Sequence, residues 1–279
     1  TQGVSSAASD VYKRQEKEFN WIVEYMHNRY GIELGHKRVL IEGRLENYLL
    51  KNSYTSYGEF INRIASSPDG EEAGDMINIL TTNHTFFMRE FMHFEYLSRY
   101  VLPWIREKKA GTKDVRIWSA AASTGEEPYT IAMILNDYFG MEPGWDTQLL
   151  ATDISMEVLQ KASDGIYLTE QIESIPDRWK RQYFRKINDE QFQVSRELRK
   201  QIVFKRFNLM DDIMFKGRFQ VVFLRNVMIY FEDQTKLNLL KKIYDHMEDG
   251  GYLFIGTTES IDKISSGFKY IQPSIYRKM

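Results

Sequence analysis

The stretch WSAAASTGEEPYTIAM, Trp118 to Met133, runs from small residues through a lone glycine into two carboxylates, a proline and an amphipathic run. A dinucleotide loop in such a place needs several glycines, GxGxxG, so that backbone N–H groups can approach a pyrophosphate. Here Gly125 stands alone, and Glu126 and Glu127 would repel a phosphate. The same carboxylates suit a ligand that brings positive charge or hydroxyls. Their other use is as acids in the first turn of a helix, where the macrodipole favours each by about 0.3–1 kcal/mol. Asp153, at the end of LLATD, also has two uses. A carboxylate there can grip a pair of ribose hydroxyls, or it can cap a helix starting near Ser155. An adenosine-bearing ligand with a cationic end and no phosphates satisfies all three acids, and S-adenosyl-L-methionine, with its sulfonium and ammonium groups, is such a ligand. Metal chemistry is not expected, since the chain has no cysteine and its five histidines lack HxxxH or HExxH spacing.

These residues need a scaffold. After Thr112, short β-rich runs alternate with helical patterns: VRIWSA (115–120), QLLATD (148–153), IVFKRF (202–207), QVVFLR (220–225) and YLFIG (252–256), with helices beginning near Pro128, Ser155 and Asp233. Such alternation means a mostly parallel sheet with crossover helices, and FKYIQPSIYRKM supplies a closing hairpin-like edge. Ligands of open α/β sheets lie beyond the carboxyl ends of the strands, which is where Gly125, Glu126 and Asp153 fall. One segment, Gly165 to Lys200, breaks the alternation with period-two runs around Asn188 and Asp189. It reads as a small antiparallel insertion, the alternative being a long helical crossover with a loop. Upstream, from Glu16 to about Arg106, apolar residues recur at three and four: Phe19, Ile22, Val23 and Met26, then Ile41, Leu45, Tyr48 and Leu49, then Phe60, Ile61 and Ile64. That is a run of amphipathic helices, broken at Gly31 and around Pro68. Residues 1–15 are small, polar and aperiodic, and are set aside as a non-native or disordered leader.

At 279 residues the chain can form a large and a small unit. Its net charge of −2, with both signs interspersed, offers no basic field for nucleic acid and no polybasic run for a membrane surface. No apolar run approaches the ~20 residues of a spanning helix. A cytoplasmic monomer that neither inserts into a membrane nor binds nucleic acid is expected.

Four motifs carry a resemblance to a known family. SAAASTGEEPYTIAM, ATDIS, FLRNVMIYF (223–231) and TTNHTFFMREFMHF (81–94) closely resemble, in order and from about residue 16 onward, the CheR-type chemotaxis protein-glutamate O-methyltransferases. The resemblance implies an all-α domain at 16–95 that recognises receptors. It implies a Rossmann-like class I methyltransferase domain at 96–279, α/β with a seven-stranded mostly parallel sheet, carrying a small antiparallel β-subdomain at about 165–200. It implies transfer of a methyl group from S-adenosyl-L-methionine to glutamates of chemoreceptors, with S-adenosyl-L-homocysteine as product, in sensory adaptation. Carried over motif by motif, the cofactor contacts fall on Asn83, Thr85, Arg89, Glu126, Asp153, Asn208, Leu209, Arg225 and Asn226. Met88 departs from a common phenylalanine, and Thr257-Thr258 replace a common His-Ser at a position that reads as tolerant.

A carboxylate substrate is already ionised at neutral pH, so catalysis reduces to alignment, with the oxygen about 3 Å from the methyl carbon and water excluded. Arg89 and Tyr230 are the candidate orienting residues. Arg89 also suits the methionyl carboxylate, and Arg225 could equally be an ordinary ion pair. Lys37, Arg44 and Lys51, seven apart, lie nearly on one line of a helix. The resemblance implies that this line meets the acidic helical region of the cytoplasmic receptor domain, a solvated charged face being the alternative. The compact loop in INDEQFQV suggests docking without a receptor C-terminal peptide. A non-catalytic module that senses S-adenosyl-L-methionine is the other functional reading, and Glu127 stays open between cofactor contact, helix cap and turn support.

Overall fold

The computed structural model describes residues 2–81, 83–140, 142–261 and 266–279, with side chains from 15 onward. Two compact units emerge: Thr1–Thr82 with Tyr230–Thr235, and Asn83–Ile229 with Lys236–Met279.

The first unit holds α1 (Gln2–Tyr30), α2 (Arg38–Lys51), α3 (Tyr57–Ser66) and α4 (Glu71–Leu80). Spacing at three and four places Ile22 and Met26, Ile41, Leu45 and Leu49, Phe60, Ile61 and Ile64, and Met76, Ile77 and Leu80 on single faces, and all are buried. Gly31, at φ 68°, takes the left-handed conformation that ends α1, and the Ser56 hydroxyl caps α3 by accepting the Glu59 N–H. α1 opens at Gln2, inside the stretch set aside as a leader, so the backbone there is helical. The reason is propensity: Ala7, Ala8, Lys13, Arg14 and Gln15 are good helix formers, and no proline interrupts the run into Glu16. Thr1 and the side chains of 2–14 lie outside the described residues.

The rest of the chain runs α5 (Phe91–Tyr96), a π-helical turn at Leu97–Val101, α6 (Leu102–Lys108), β1 (Ile117–Ala120), α7 (Glu126–Phe139), β2 (Leu149–Asp153) and α8 (Met156–Asp164). There follow β3 (Ile166–Leu168), α9 (Asp177–Tyr183), β4 (Phe184–Lys186), β5 (Gln191–Val194), α10 (Arg196–Lys200), β6 (Ile202–Arg206), β7 (Phe219–Leu224), α11 (Asp233–Asp245), β8 (Met247–Ile255), β9 (Phe268–Gln272) and β10 (Ile275–Lys278). Seven strands form one sheet in the order β6-β2-β1-β7-β8-β10-β9, parallel except for the pairings of β10. The order reverses between β1 and β7, which makes their carboxyl ends the ligand crevice. Both strands are buried along their whole length, as the apolar runs of a covered parallel sheet require. The interruption at 165–200 is the antiparallel sheet β3-β5-β4, as its period-two pattern implied.

The division between units falls before Asn83, earlier than the expected boundary at 95/96. Phe87, Phe94, Leu97 and Val101 explain the shift, since they belong to the core of the larger unit. Phe94 stacks on Phe223 of β7 at 6.1 Å, and Phe223 on Phe254 of β8 at 4.5 Å.

Candidate active site

The chain leaves β1 through a turn in which Ala121, Ser123 and Gly125 take positive φ (65°, 50° and 99°). Alternation of this kind swings the backbone sharply from strand to helix. Gly125 is required twice over: its φ is left-handed, and a Cβ would lie 2.9 Å from both the Ala162 Cβ and the Tyr167 hydroxyl. Tyr167, on β3 of the inserted sheet, donates to the Thr124 carbonyl at 2.6 Å and so holds the turn from outside the main sheet. Two of the strained positions carry side chains other than glycine, the pattern expected where function over-determines the backbone.

α7 starts at Glu126, and both acids sit in its first turn. They then diverge. Glu126 is 1% exposed, held by the neutral Thr124 hydroxyl at 2.7 Å, and burial pushes its carboxyl above the ordinary range despite that bond. An acid that only stabilised the helix dipole would not need to leave water, and a carboxylate buried in this way can pair with a positive group. Glu127 turns the other way, accepting from the Ser119 hydroxyl at 2.7 Å and from Arg225 Nη1 at 2.7 Å. It ties β1 to the end of β7.

Asp153 is not the helix cap. Ser155 caps α8 by accepting the Val158 N–H at 3.2 Å. The Asp153 carboxylate accepts one backbone N–H on each oxygen, Ser155 at 3.0 Å and Ser123 at 2.9 Å. Burial raises its pKa against the backbone N–H bonds from Ser155, Ser123 and Ile154. The carboxylate can accept further hydrogen bonds, of the kind a vicinal diol gives, beside the Ser123–Glu126 turn.

The segment before α5 closes over the same turn. The Asn83 carbonyl accepts the Ser123 hydroxyl at 3.0 Å. Arg89 is bracketed by Met88 and Glu90, both at positive φ (62° and 57°), donates to the His84 carbonyl at 2.8 Å and lies against the Phe86 ring. Thr85 is half-buried on this segment. After β7, Arg225 has a side chain only 3% exposed, paired with Glu127 and with Glu90 at 3.1 Å, and it donates to the Arg89 carbonyl. It is therefore a buried cation with two acidic partners rather than a surface ion pair. Asn226, at φ 58°, gives its N–H to Glu259 at 2.8 Å. After β6, Asn208 accepts the Met210 N–H at 3.1 Å, and Lys242 of α11 donates to the carbonyls of Leu209, Met210 and Asp211 at 2.8–2.9 Å.

Sequence reasoning missed Glu90, Thr257, Glu259, Lys242 and Tyr167. Thr257, read as a tolerant position, donates its N–H and hydroxyl to Glu90 at 3.3 and 3.1 Å. Glu259 accepts N–H groups of Gly256 at 2.6 Å, Asn226 at 2.8 Å and Ile229 at 3.2 Å, pinning the ends of β7 and β8 together. The one available signal was position, since Glu90 adjoins Arg89 and Glu259 closes GTTES.

In the helical unit the Lys37 ammonium sits over the Tyr230 ring at 5.0 Å, and the Tyr230 carbonyl accepts the Glu33 N–H at 2.8 Å. Arg44, on the line between Lys37 and Lys51, donates to the Ile79 and Thr81 carbonyls at 3.0 and 3.3 Å, satisfying the C-terminal end of α4. Lys51 is exposed. Among the described residues one group of metal-ligand type comes together in this unit, His27, Glu33 and Glu232, and it includes none of the motif residues.

A sheet that reverses order at β1/β7, with acids at two adjacent strand ends and a single-glycine turn, defines a Rossmann-like methyltransferase domain. Residues 83–277 match the family described as "CheR methyltransferase, SAM binding domain", and 17–81 match "CheR methyltransferase, all-alpha domain". The chain belongs to the CheR methyltransferase family. It is 38% identical to the chemotaxis protein methyltransferase of Borreliella burgdorferi, with 94% of each chain covered. It is 34% identical to that of Escherichia coli, covering 94% of this chain and 90% of the relative. The protein is thus a methyltransferase of the chemotaxis class that uses S-adenosyl-L-methionine. Among the described residues no helix is long and apolar enough to cross a membrane.

Proposed function

We propose that the protein methylates glutamate side chains of chemoreceptors, giving glutamyl methyl esters. The observation that carries the proposal is the pair Glu126 and Asp153: two buried carboxylates, one opening α7 after β1 and one ending the adjacent strand β2, with no basic or glycine-rich cradle for phosphate among the described residues. Asp153 would hold the ribose, Glu126 the ammonium region, and Arg89 the methionyl carboxylate, with Asn83, Thr85, Asn208, Leu209 and Asn226 around them. Arg225 positions Arg89 through its carbonyl. The bound cofactor supplies a methyl group activated by sulfonium, which an ionised glutamate oxygen accepts as the carbon–sulfur bond breaks toward sulfur, so no proton moves. The chain's own task is therefore to bind, align and exclude water, and neither a histidine base nor a triad is needed.

Exposed Lys37 and Lys51 would meet the acidic helical region of the receptor's cytoplasmic domain, and Tyr230, beneath Lys37, would orient the entering carboxylate. The turn between β4 and β5 is compact, with Asn188 accepting the N–H groups of Glu190 and Gln191 at 2.9 Å. That compactness supports docking without a receptor C-terminal peptide. Peptide mapping of receptor labelled with S-adenosylmethionine tests the proposal. A mass gain on glutamate that vanishes when those positions are glutamine supports it, and modification elsewhere defeats it.

A further inference from the structure

Glu90 belongs to none of the cofactor contacts assigned above, yet the ends of β7 and β8 both converge on it. Its Oε1 accepts from Asn226 Nδ2 at 3.4 Å, the Thr257 N–H at 3.3 Å and the Thr257 hydroxyl at 3.1 Å. Its Oε2 accepts from Arg225 Nε at 3.3 Å, pairs with Nη2 at 3.1 Å, and lies 3.3 Å from the Nδ1 of buried His93. The side chain is 13% exposed. One carboxylate thus gathers the segment before α5 and the ends of β7 and β8.

We infer that Glu90 is the positioning residue of the site, fixing Arg89 and Asn226 toward the amino-acid end of the cofactor without touching it. The inference rests on the functional reading above, in which Arg89 and Asn226 face that ligand. Three facts support it. Glu90 sits at φ 57°, immediately after Arg89, so its own backbone sets the direction of the arginine. Its partner Arg225 also holds the Arg89 carbonyl. And each hydrogen bond given to the two oxygens comes from a donor. An amide of the same shape has one acceptor and one NH2 group. However it turns, that NH2 faces either the guanidinium or the Asn226 and Thr257 donors, so glutamine cannot replace glutamate here. Burial opposes ionisation of Glu90, but Arg225, the Thr257 N–H, His93 and Asn226 together hold its carboxyl below the usual range, consistent with an acceptor-only role.

The test compares two ligands on the full chain by calorimetry. S-adenosylhomocysteine carries the amino-acid end; methylthioadenosine lacks it. Glu90→Gln is expected to weaken S-adenosylhomocysteine by about tenfold or more while methylthioadenosine binds within about twofold of wild type, which also certifies that the variant is folded. In an Arg89→Ala background the same substitution should add little, because the two act through one path. Equal loss for both ligands, an unchanged S-adenosylhomocysteine affinity, or additive effects would overturn the inference alone. Wild-type protein that binds no S-adenosylhomocysteine would overturn the functional reading, and this inference with it.

Discussion

Replacing Gly125 by alanine probes the turn on which the site depends. At φ +99° a Cβ costs about 1 kcal/mol or more in backbone strain. The same Cβ would meet the Ala162 Cβ and the Tyr167 hydroxyl at 2.9 Å and the Ala162 Cα at 3.1 Å. Ala162 is fully buried on α8 and cannot withdraw, so crowding adds about 1–3 kcal/mol. The sum, about 2–4 kcal/mol, corresponds to a fall in melting temperature of roughly 4–16 °C for a chain of this size. Because the Tyr167 bond to the Thr124 carbonyl is pushed aside, the Ser123–Glu126 turn moves and S-adenosylhomocysteine affinity falls as well. Gly74→Ala on α4 is the control: nothing lies within 4 Å of its Cβ, and the change should stabilise by about 0.5–1 kcal/mol. Scanning calorimetry and ligand titration of both variants measure this. A Gly125→Ala protein that melts within about 2 °C of wild type and binds the ligand normally would refute the reasoning.

Other outcomes follow from the same geometry. Glu127→Gln breaks one arm of a buried pair but leaves Arg225 its Glu90 partner, so urea unfolding should show a loss of about 2–3 kcal/mol, below the 3–5 of a fully orphaned charge; a loss under about 1 would contradict the burial of that pair. Burial raises the carboxyls of Glu126 and Asp153, so affinity for S-adenosylhomocysteine should be full above their raised pKa and weaken as pH falls through it, with protons released on binding near that point. Calorimetry in two buffers of different ionisation enthalpy reads the release, and affinity that rises on acidification would rule the arrangement out. Burial, with Arg225 nearby, lowers His93 to about 4 from 6.5. The unfolded chain then binds the extra proton in that window, so the stability contributed above pH 6.5 is lost toward pH 4, and His93→Phe should flatten that part of the pH–stability curve.

What could be read from the sequence differs from element to element, for physical reasons. β1, β2, β6 and β7 stand out as short apolar runs because a covered parallel sheet demands them, and the inserted sheet stands out by its period of two. Glu126 and Asp153 are legible because their place at strand ends is set by local order along the chain. Arg44 is not: heptad spacing shows a line of charge, while its use at the carboxyl end of α4 depends on how α2 lies along that helix. Glu90, Thr257 and Glu259 are illegible for the same reason, since their partners lie far along the chain and meet only where β7 and β8 end. The division before Asn83 is not legible in the sequence because the amphipathic texture continues unbroken through α5 and α6, although their apolar face packs on the sheet.

The proposed acceptor of the methyl group is a carboxylate. Incubation with tritiated S-adenosylmethionine and receptor-bearing membranes, followed by mild alkali, tests it most directly. Release of the label as volatile methanol is the predicted result. Label that withstands alkali, or cofactor that binds without transferring label, would contradict it.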